Sequence, residues 1–241
     1  MRIFSNCLEL MSEMGRELSS YGQIVKPKHY QNKDIEGNED YITKEIICQQ
    51  YCLTSLKNEE ALFVFSHAKE WADEEFSERI TPNVNPGEAW ELRRDLWEQF
   101  LVNGYFDYSY SERLTGTLSK VIDLLINDQD TRKAVIPIFG GNGYIDTNYY
   151  DGSKRIPCSM YYDFLIRENG KGEKVLHICY HQRSSDYCIH FGNDVYLAWK
   201  LMEYISRAVG VKPGYLYHTI DSLHAYKKDW YLLNSNIEDL L

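Results

Sequence analysis

The sequence lacks any apolar run that approaches the roughly 18 residues of a membrane-spanning helix. Its N-terminus, MRIFSNCLELMSEMG, lacks the basic and apolar regions of a signal peptide. It also contains no internal repeat and no low-complexity segment. These absences predict a cytoplasmic protein that has no membrane partner.

Metal-binding spacing is missing as well. The six cysteines form no CxxC pair and no finger-like spacing with histidine. We therefore predict no metal site, and free thiols in a reducing compartment. Cys48 and Cys52 lie four residues apart in KEIICQQYCL, which is the spacing of neighbours on one helix face.

Positive charge is scarce. The chain has 26 Lys and Arg residues against 36 Asp and Glu residues, and its formal net charge is −10. A general nucleic-acid binder presents a basic face, so we predict no nucleic-acid partner. A small anionic ligand is compatible with this charge wherever a few basic residues converge.

The overall composition is that of an ordinary globular protein, but it is rich in aromatic residues. Of 241 residues, 44% are hydrophobic and 26% are charged, and there are 20 Tyr and five Trp. This length favours a single domain, which we place at 1–241. The aromatic side chains suit a packed core and the recognition of flat rings.

The pattern of apolar residues predicts helices first and mainly strands later. Helices are expected over 59–76, over AWELRRDLWEQFL, over LSKVIDLLINDQ, from near Asp194 to a stop at Gly210, and at the end of the chain. Strands are expected at AVIPIF, at GYLYHTIDSLHAY, and at MYYDFLIRE and KVLHICYHQ on either side of an NGKGE turn. This order indicates an α+β fold with a mostly antiparallel or mixed sheet.

A cysteine and an arginine fall at the same end of the predicted hairpin. Cys158 in IPCSM directly precedes the first strand, and Arg183 in QRSSD directly follows the second. A cation beside a cysteine stabilises the thiolate, which is the nucleophilic form. Arg183 and the hydroxyls of Ser184 and Ser185 also suit a phosphate. On spacing alone, a buried cysteine beside a surface salt bridge is the simpler interpretation.

Five motifs in the right order resemble the thymidylate synthase family. They are YSYSER with Tyr108, DQDTRK with Arg132, PC with Cys158, QRSSD from Gln182 to Asp186, and LHAY with His224 and Tyr226. QRSxD followed by His-x-Tyr is a specific signature. The resemblance covers about half of the chain.

The resemblance implies a role for each matching residue. Cys158 would attack C6 of a pyrimidine nucleotide, and C5 would then receive one carbon from 5,10-methylenetetrahydrofolate. Arg183 and Ser184 would hold the 5′-phosphate, which Arg132 would reach from the second subunit of a homodimer. The other implied contacts are Gln182 behind the nucleotide, Asp186 at the folate, His224 and Tyr226 at the 3′-hydroxyl, and Tyr108 and Ser185 at the substrate. Packed strand or turn residues are the alternative for each.

In the less similar N-terminal half, the resemblance leaves the family's catalytic glutamate unplaced and implies that Trp97 is its folate-side tryptophan. Glu75 has the family's spacing to Trp97, and Glu70 in KEWADEE is the alternative. The family's Arg-Thr-Gly phosphate loop is not found, and Lys26 and Lys28 are candidate replacements.

One departure from the family concerns the base. Thymidylate synthases carry an Asn eight residues after the Asp of RSxD, and its amide contacts O4 and N3–H of uracil. This chain has Asp194 there, preceded by Asn193. A carboxylate accepts from the 4-amino group of cytosine and from a protonated N3, but it repels O4 of uracil. Asp194 therefore indicates dCMP, unless it only caps the following helix.

The same position resembles the bacteriophage deoxycytidylate hydroxymethylases within this family, as do FGND and SLHAY. Ser159 follows Cys158 where synthases carry His, and fifteen residues follow Tyr226. We expect a more open site, which would admit water and give a hydroxymethyl product. The cytoplasm would then be that of the host if the protein is phage-encoded.

Other functions stay open within this enzyme class. They are a thymidylate synthase or dUMP hydroxymethylase that uses Asn193, and a dCMP or CMP methylase or hydroxymethylase. A catalytically silent nucleotide-binding homologue is the non-enzyme alternative. Retention of Cys158 beside Arg183 and Ser184 argues against it, because binding alone needs no nucleophile.

Overall fold

The computed structural model describes residues 1–65 and 68–241, and a sheet of mixed strand directions lies at its centre. The strands are β1 (Arg2–Phe4), β2 (Gln23–Val25), β3 (His29–Tyr30), β4 (Lys33–Asp34), β5 (Thr43–Leu53), β6 (Val135–Pro137), β7 (Ser159–Glu168), β8 (Lys174–Gln182), β9 (Ser185–Asp186) and β10 (Lys212–Tyr226). The sheet order is β1-β5-β10-β8-β7-β6, with β2 paired to β5 and β9 to β10, while β3 and β4 form a separate hairpin.

Helices pack against this sheet. They are α1 (Cys7–Tyr21), α2 (Lys69–Arg79), α3 (Arg94–Trp97), α4 (Tyr110–Asn127), α5 (Gly192–Val209) and α6 (Ile237–Leu240). Shorter 3₁₀ segments are Glu39–Tyr41, Glu59–Phe63, Ala89–Arg93, Glu98–Phe100, Gly141–Gly143, Asp146–Tyr149 and Lys227–Asn234, and Tyr187–Phe191 is a π-helical turn. None of the helices in the described ranges is long and apolar enough to cross a membrane.

The core lies between the sheet and helices α1, α4 and α5. Along β10, Leu216, His218 and Ile220 point into this core, whereas Tyr215 and Asp221 are exposed on the opposite face. Alternation of this kind is what the two-residue period of a strand requires when one sheet face is buried. The α+β fold with a mixed sheet is therefore confirmed.

Most of the predicted elements in the second half of the chain are confirmed. Strands β7 and β8 pair in antiparallel register around the NGKGE turn, with Glu168 opposite Lys174. Helix α4 begins earlier than its apolar stripe, because Ser109 and Glu112 form a capping box. Helix α5 ends at Gly210, which adopts a positive φ of 76°.

Several predictions in the first half are wrong. Cys48 and Cys52 lie on the long strand β5, not on a helix, because β5 pairs along most of its length with β10. Such long-range pairing overrides local spacing. The expected helix over 59–76 is a 3₁₀ segment followed by α2 from Lys69, with residues 66–67 outside the described part. The AWELRRDLWEQFL segment forms 3₁₀ turns around the short α3.

Candidate active site

A cavity of about 440 Å³ opens beside the carboxyl end of β8. Its volume is in the range of small-molecule sites. The residues predicted from the sequence that line it are Glu75, Trp97, Tyr108, Cys158, Arg183, Ser184, Ser185, Asp186, Asn193, Asp194, His224 and Tyr226. The structure thus brings most of the predicted site residues to one place.

The turn after β8 holds Arg183 against Cys158. The Arg183 backbone N–H donates to the Cys158 carbonyl (2.9 Å), and Arg183 Nη2 lies 3.7 Å from Cys158 Sγ. Arg183 Nε also donates to the Pro157 carbonyl (3.0 Å) and Nη2 to that of Ile156 (3.2 Å). The charge of Cys158 is the main cause that raises the pKa of Arg183 above its ordinary value. The predicted pair is therefore present, and Nη1 has no hydrogen-bond partner within the described chain.

The carboxylate of Asp194 is oriented by two donors. Gln182 Nε2 and Ser185 Oγ both donate to Asp194 Oδ2, each at 2.9 Å. Burial raises the pKa of Asp194 to about 6, and these two hydrogen bonds act in the opposite direction. Helix α5 is preceded by Phe191 and has no side-chain cap bond, so Asp194 is not a helix cap. Gln182 is fully buried and lies behind the cavity wall.

Asp186 caps a turn, which is the alternative weighed for it in the sequence, and it also lies at the cavity. Its Oδ1 accepts from the Cys188 backbone N–H at 3.0 Å, which caps the π-helical turn, and the residue also lines the cavity. Burial, together with the negative charge of Asp229, raises the pKa of Asp186 to about 7. A carboxyl group with such a pKa can either accept or donate a hydrogen bond near neutral pH.

Aromatic rings form the walls. Trp97 stacks on Trp71 with ring centroids 6.2 Å apart, and its indole N–H is buried without a partner among the described residues. Tyr226 packs edge-to-face on Tyr30 (5.8 Å) and on His224 (5.2 Å). Burial lowers the pKa of His224, so this imidazole is neutral. Flat rings with free polar edges suit a heteroaromatic ligand.

The structure favours Glu75 over Glu70 as the site glutamate. Glu75 lines the cavity and accepts from Arg79 Nε at 2.7 Å, whereas Glu70 is exposed outside the cavity. The guanidinium of Arg79 lies 3.8 Å from the centre of the Tyr110 ring. Glu75 is thus oriented by a buried arginine, as a residue that handles protons at a fixed position would be.

Three predicted phosphate residues lie away from the cavity of their own chain. Arg132 is exposed, and no carboxylate in the described ranges lies within 4 Å of it. Lys26 and Lys28 are also exposed, and Lys28 pairs with Glu36 at 2.9 Å. The lysines therefore do not replace the missing phosphate loop within this chain.

The sequence did not indicate Arg155, which lines the cavity and is only 6% exposed. Its guanidinium lies over the rings of Phe100 (4.4 Å) and Trp97 (5.1 Å). Its Nε has no hydrogen-bond partner, and no carboxylate pairs with it within the described chain. A buried charge without a counter-ion is unfavourable, which indicates a group that awaits a polar ligand. Its position three residues before Cys158 was the only signal.

His190 and Gln31 were also missed. His190 lines the cavity, and burial with the charges of Arg93 and Arg155 lowers its pKa to about 3. Gln31 follows β3, and its Nε2 lies 3.9 Å from Cys158 Sγ. The β3–β4 hairpin brings Gln31 to the site from far away in the sequence, so no local pattern could have indicated it.

Comparisons with known proteins agree with this geometry. A family model described as thymidylate synthase matches residues 59–239. The chain is 30% identical over 153 residues to a Methanococcoides burtonii protein named "Putative thymidylate synthase", a match that covers 59% of this chain and 65% of that protein. A Methanosarcina mazei protein of the same name is 28% identical over 171 residues (66% and 74%).

A phage protein is similar as well. The "Deoxyuridylate hydroxymethyltransferase" of Bacillus phage SP01 is 33% identical over 151 residues, which are 55% of this chain and 37% of the phage protein. The matched region thus spans just under two thirds of the M. burtonii protein and little more than a third of the phage protein.

Proposed function

Because this chain belongs to the thymidylate synthase family, we propose that it is a folate-dependent transferase that hydroxymethylates C5 of dCMP. The choice of base rests on a single observation, the hydrogen bonding of the Asp194 carboxylate. Its Oδ2 accepts from two protein donors, while Oδ1 has no partner among the described residues at the cavity wall. An acceptor at this point matches the 4-amino group of cytosine and opposes O4 of uracil.

Cys158 starts the reaction. Its thiolate attacks C6 of the base, forms a C–S bond, and leaves C5 electron-rich. The guanidinium of Arg183 lies 3.7 Å from Sγ, so a cation faces the nucleophile before the attack. Nη1 of Arg183, which has no partner in the ranges that the structure describes, and the hydroxyl of Ser184 are available for the 5′-phosphate, because the other Arg183 nitrogens donate to backbone carbonyls.

Polar groups on the cavity wall support a folate beside the nucleotide. The indole N–H of Trp97 and the side-chain oxygen of Asn193, neither of which has a partner in the described part of the chain, offer one donor and one acceptor. The carboxyl of Asp186 can serve as either. Trp97 and Asp186 would hold the pterin ring. When bound, 5,10-methylenetetrahydrofolate supplies one carbon at the oxidation level of formaldehyde.

Glu75 is the residue for proton handling and for positioning water. It lines the cavity and is oriented by Arg79, so its carboxylate stays at a fixed point near the base. In the last step of hydroxymethylation, a water molecule adds to the transferred carbon, whereas methylation needs a site closed to water. The name of the phage SP01 relative supports a hydroxymethyl product.

A second candidate substrate is dUMP. The SP01 relative is named for deoxyuridylate, and Asn193 presents a side-chain oxygen without a partner among the described residues. Asp194, with a pKa of about 6, could donate to O4 of uracil in its protonated form. Above this pH the carboxylate form favours dCMP.

We also propose a homodimer formed by the outward face of the sheet. Ile47, Tyr161 and Tyr215 expose 65%, 38% and 41% of their surface there. Exposed apolar side chains on one sheet face are typical of an interface. Arg132 precedes β6 at the sheet edge, from which it would reach the phosphate in the site of the second subunit.

The experiment is tritium release from 5-tritiated dCMP and 5-tritiated dUMP, with and without methylenetetrahydrofolate, followed by mass spectrometry of the product. We expect folate-dependent release from dCMP and a product heavier by CH₂O. Tritium release from dUMP alone would show that dUMP, and not dCMP, is the substrate. A product heavier by CH₂ would show that the enzyme transfers a methyl group and not a hydroxymethyl group. No release from either nucleotide would contradict the transferase activity.

A further inference from the structure

A chain of buried hydrogen bonds leads from the core to Asp194. The Tyr51 hydroxyl lies 2.7 Å from His218 Nδ1, and His218 Nε2 lies 2.8 Å from Gln182 Oε1. Gln182 Nε2 donates to Asp194 Oδ2 at 2.9 Å. Of these residues only Asp194 lines the cavity. The hydrogen-bond chain therefore connects the cavity wall to buried groups that lie behind it.

Strand register places these residues next to one another. His218 on β10 lies opposite Tyr51 on β5 and opposite Tyr180 on β8, and Gln182 follows Tyr180 on the same face of β8. Each occupies an inward position among apolar side chains, where a polar residue must be hydrogen-bonded to be tolerated. The His218 ring stacks on that of Tyr180, with centroids 4.5 Å apart and an interplanar angle of 14°.

Donor and acceptor capacity fixes the direction of every bond. Burial lowers the pKa of His218 to about 3, so its ring is neutral and has one donor and one acceptor nitrogen. A carboxylate at Asp194 requires the amide N–H of Gln182, which turns Gln182 Oε1 towards His218. Because that oxygen only accepts, His218 Nε2 carries the proton and Nδ1 accepts from the Tyr51 hydroxyl.

The orientation of Gln182 matters for the base. If its amide turned over, its oxygen would face the Asp194 carboxylate, and the two acceptors would repel each other. Asp194 would then lose a donor on Oδ2 and would be free to rotate or to take up a proton. Ser185 alone would hold that oxygen. Either change removes the defined acceptor that distinguishes a 4-amino group from O4.

We propose that His218 is a positioning residue that holds Gln182, and through it the carboxylate of Asp194, in the orientation that selects the base. This inference rests on the proposed function of Asp194. His218 does not line the cavity, so it acts on recognition only through the amide of Gln182.

The test compares two His218 variants in the full-length protein by isothermal titration with dCMP and with dUMP. His218→Phe keeps a ring for stacking but removes the donor to Gln182. His218→Gln loses the ring, yet its amide nitrogen can take the place of Nε2 as donor. We expect His218→Phe to lower the preference for dCMP over dUMP by about tenfold, the effect of one lost hydrogen bond to a charged network. His218→Gln should retain most of the preference.

A purely structural role predicts the opposite order, because the Gln variant disturbs packing more than the Phe variant. The role of His218 is overturned if both variants lose the preference for dCMP equally. It is also overturned if His218→Phe keeps the preference while Asp194→Asn changes it. Both results leave the proposed function intact. If Asp194→Asn itself leaves the preference unchanged, base recognition by Asp194 fails and the role of His218 fails with it.

A second measurement does not depend on whether the variants fold. Nitrogen-15 spectra of the histidine rings in the unaltered protein should show that the ring of His218 is protonated at Nε2 and stays neutral between pH 5 and 8. The ring of His190 should also stay neutral in this range, so the two signals are assigned individually. A ring at His218 that is protonated at Nδ1, or that becomes charged in this range, would overturn the proposed direction of the hydrogen-bond chain.

Discussion

Arg183 Nη2 lies 3.7 Å from Cys158 Sγ, and the two residues are also joined by a backbone hydrogen bond of 2.9 Å. The bond forms because β7 and β8 are antiparallel neighbours, so the residue before one strand meets the residue after the other. A cation and a thiol are thus fixed by the sheet rather than by flexible loops. A nucleophile needs a fixed position if its sulfur is to face the same ring atom in every turnover.

We predict that Cys158→Ala abolishes turnover but leaves dCMP binding within about threefold, because the phosphate and base contacts do not involve the thiol. Isothermal titration measures the binding, and tritium release from C5 measures the chemistry. Cys48→Ala, which changes an exposed cysteine on β5, is the matched control and should keep full activity. Substantial tritium release by Cys158→Ala would disprove the nucleophile assignment.

A mixture of two inactive variants should regain activity if sites are shared between subunits. Arg132→Ala lacks the residue donated to the partner's site, and Cys158→Ala lacks the nucleophile. Random assembly of equal amounts gives about half heterodimers with one intact site each, so about a quarter of the activity should return. Heterodimers verified by differential tagging that remain inactive would contradict a shared site.

Arg113, the last residue of the YSYSER motif, lies in the core and does not line the cavity. Arg113 is 1% exposed and makes two hydrogen bonds of 2.7 Å to Asp146. Arg113→Met should lower the free energy of unfolding by about 3–5 kcal/mol, because Asp146 is left buried and unpaired. The double variant with Asp146→Leu should recover part of this loss. Urea unfolding measures both, and a loss below about 1 kcal/mol in the single variant would count against the pair.

The buried carboxyl of Asp186 should make stability depend on pH. Its pKa is raised to about 7 in the folded state, so the folded protein holds a proton that the unfolded chain releases near pH 4. The stability from this group is fully present below about pH 4 and is lost as the pH rises through 7. Asp186→Asn should therefore be more stable than the unaltered protein at pH 8, by about 2–4 kcal/mol.

This advantage of Asp186→Asn should shrink towards pH 4, where the unaltered residue is protonated as well. Asp123→Asn, an exposed position on α4, is the control and should change stability little at either pH. The contradicting result is a stability difference between Asp186→Asn and the unaltered protein that is no larger at pH 8 than at pH 4. It would show that the pKa of the Asp186 carboxyl is not raised in the folded state.

The sequence was informative where the site is built from local motifs. Cys158, Arg183 and Asp194 lie at the ends of a hairpin and at the start of a helix, and both elements have clear apolar periods. Arg155 and Gln31 could not be found in this way, because their partners arrive from distant segments. Phe100 contacts Arg155, and the β3–β4 hairpin brings Gln31 to Cys158, only when the chain is folded.

Strand β5 shows the same limit for the fold. Its KEIICQQYCL segment has neither a clean two-residue period nor a helical one, and its state is decided by pairing with β10, whose residues lie more than 160 positions later. Tyr51 and His218 meet only through that pairing. The positioning of Asp194 therefore depends on contacts that no local pattern encodes.

Asp194 is the residue proposed to select cytosine. Asp194→Asn replaces an acceptor-only group with an amide that can donate to O4 and accept from N3–H of uracil, while the shape stays nearly the same. Asn193→Ala is the control for the neighbouring residue. Because the wrong base leaves buried groups unpaired or opposed, several kcal/mol can be at stake.

The most direct measurement is kcat/KM for dCMP and for dUMP in the unaltered protein and in both variants, at pH 7.5. We predict that the ratio of dCMP to dUMP falls at least ~100-fold in Asp194→Asn, which corresponds to about 2.7 kcal/mol, and stays within about threefold in Asn193→Ala. A ratio that is unchanged in Asp194→Asn, or that changes only in Asn193→Ala, would contradict base selection by Asp194.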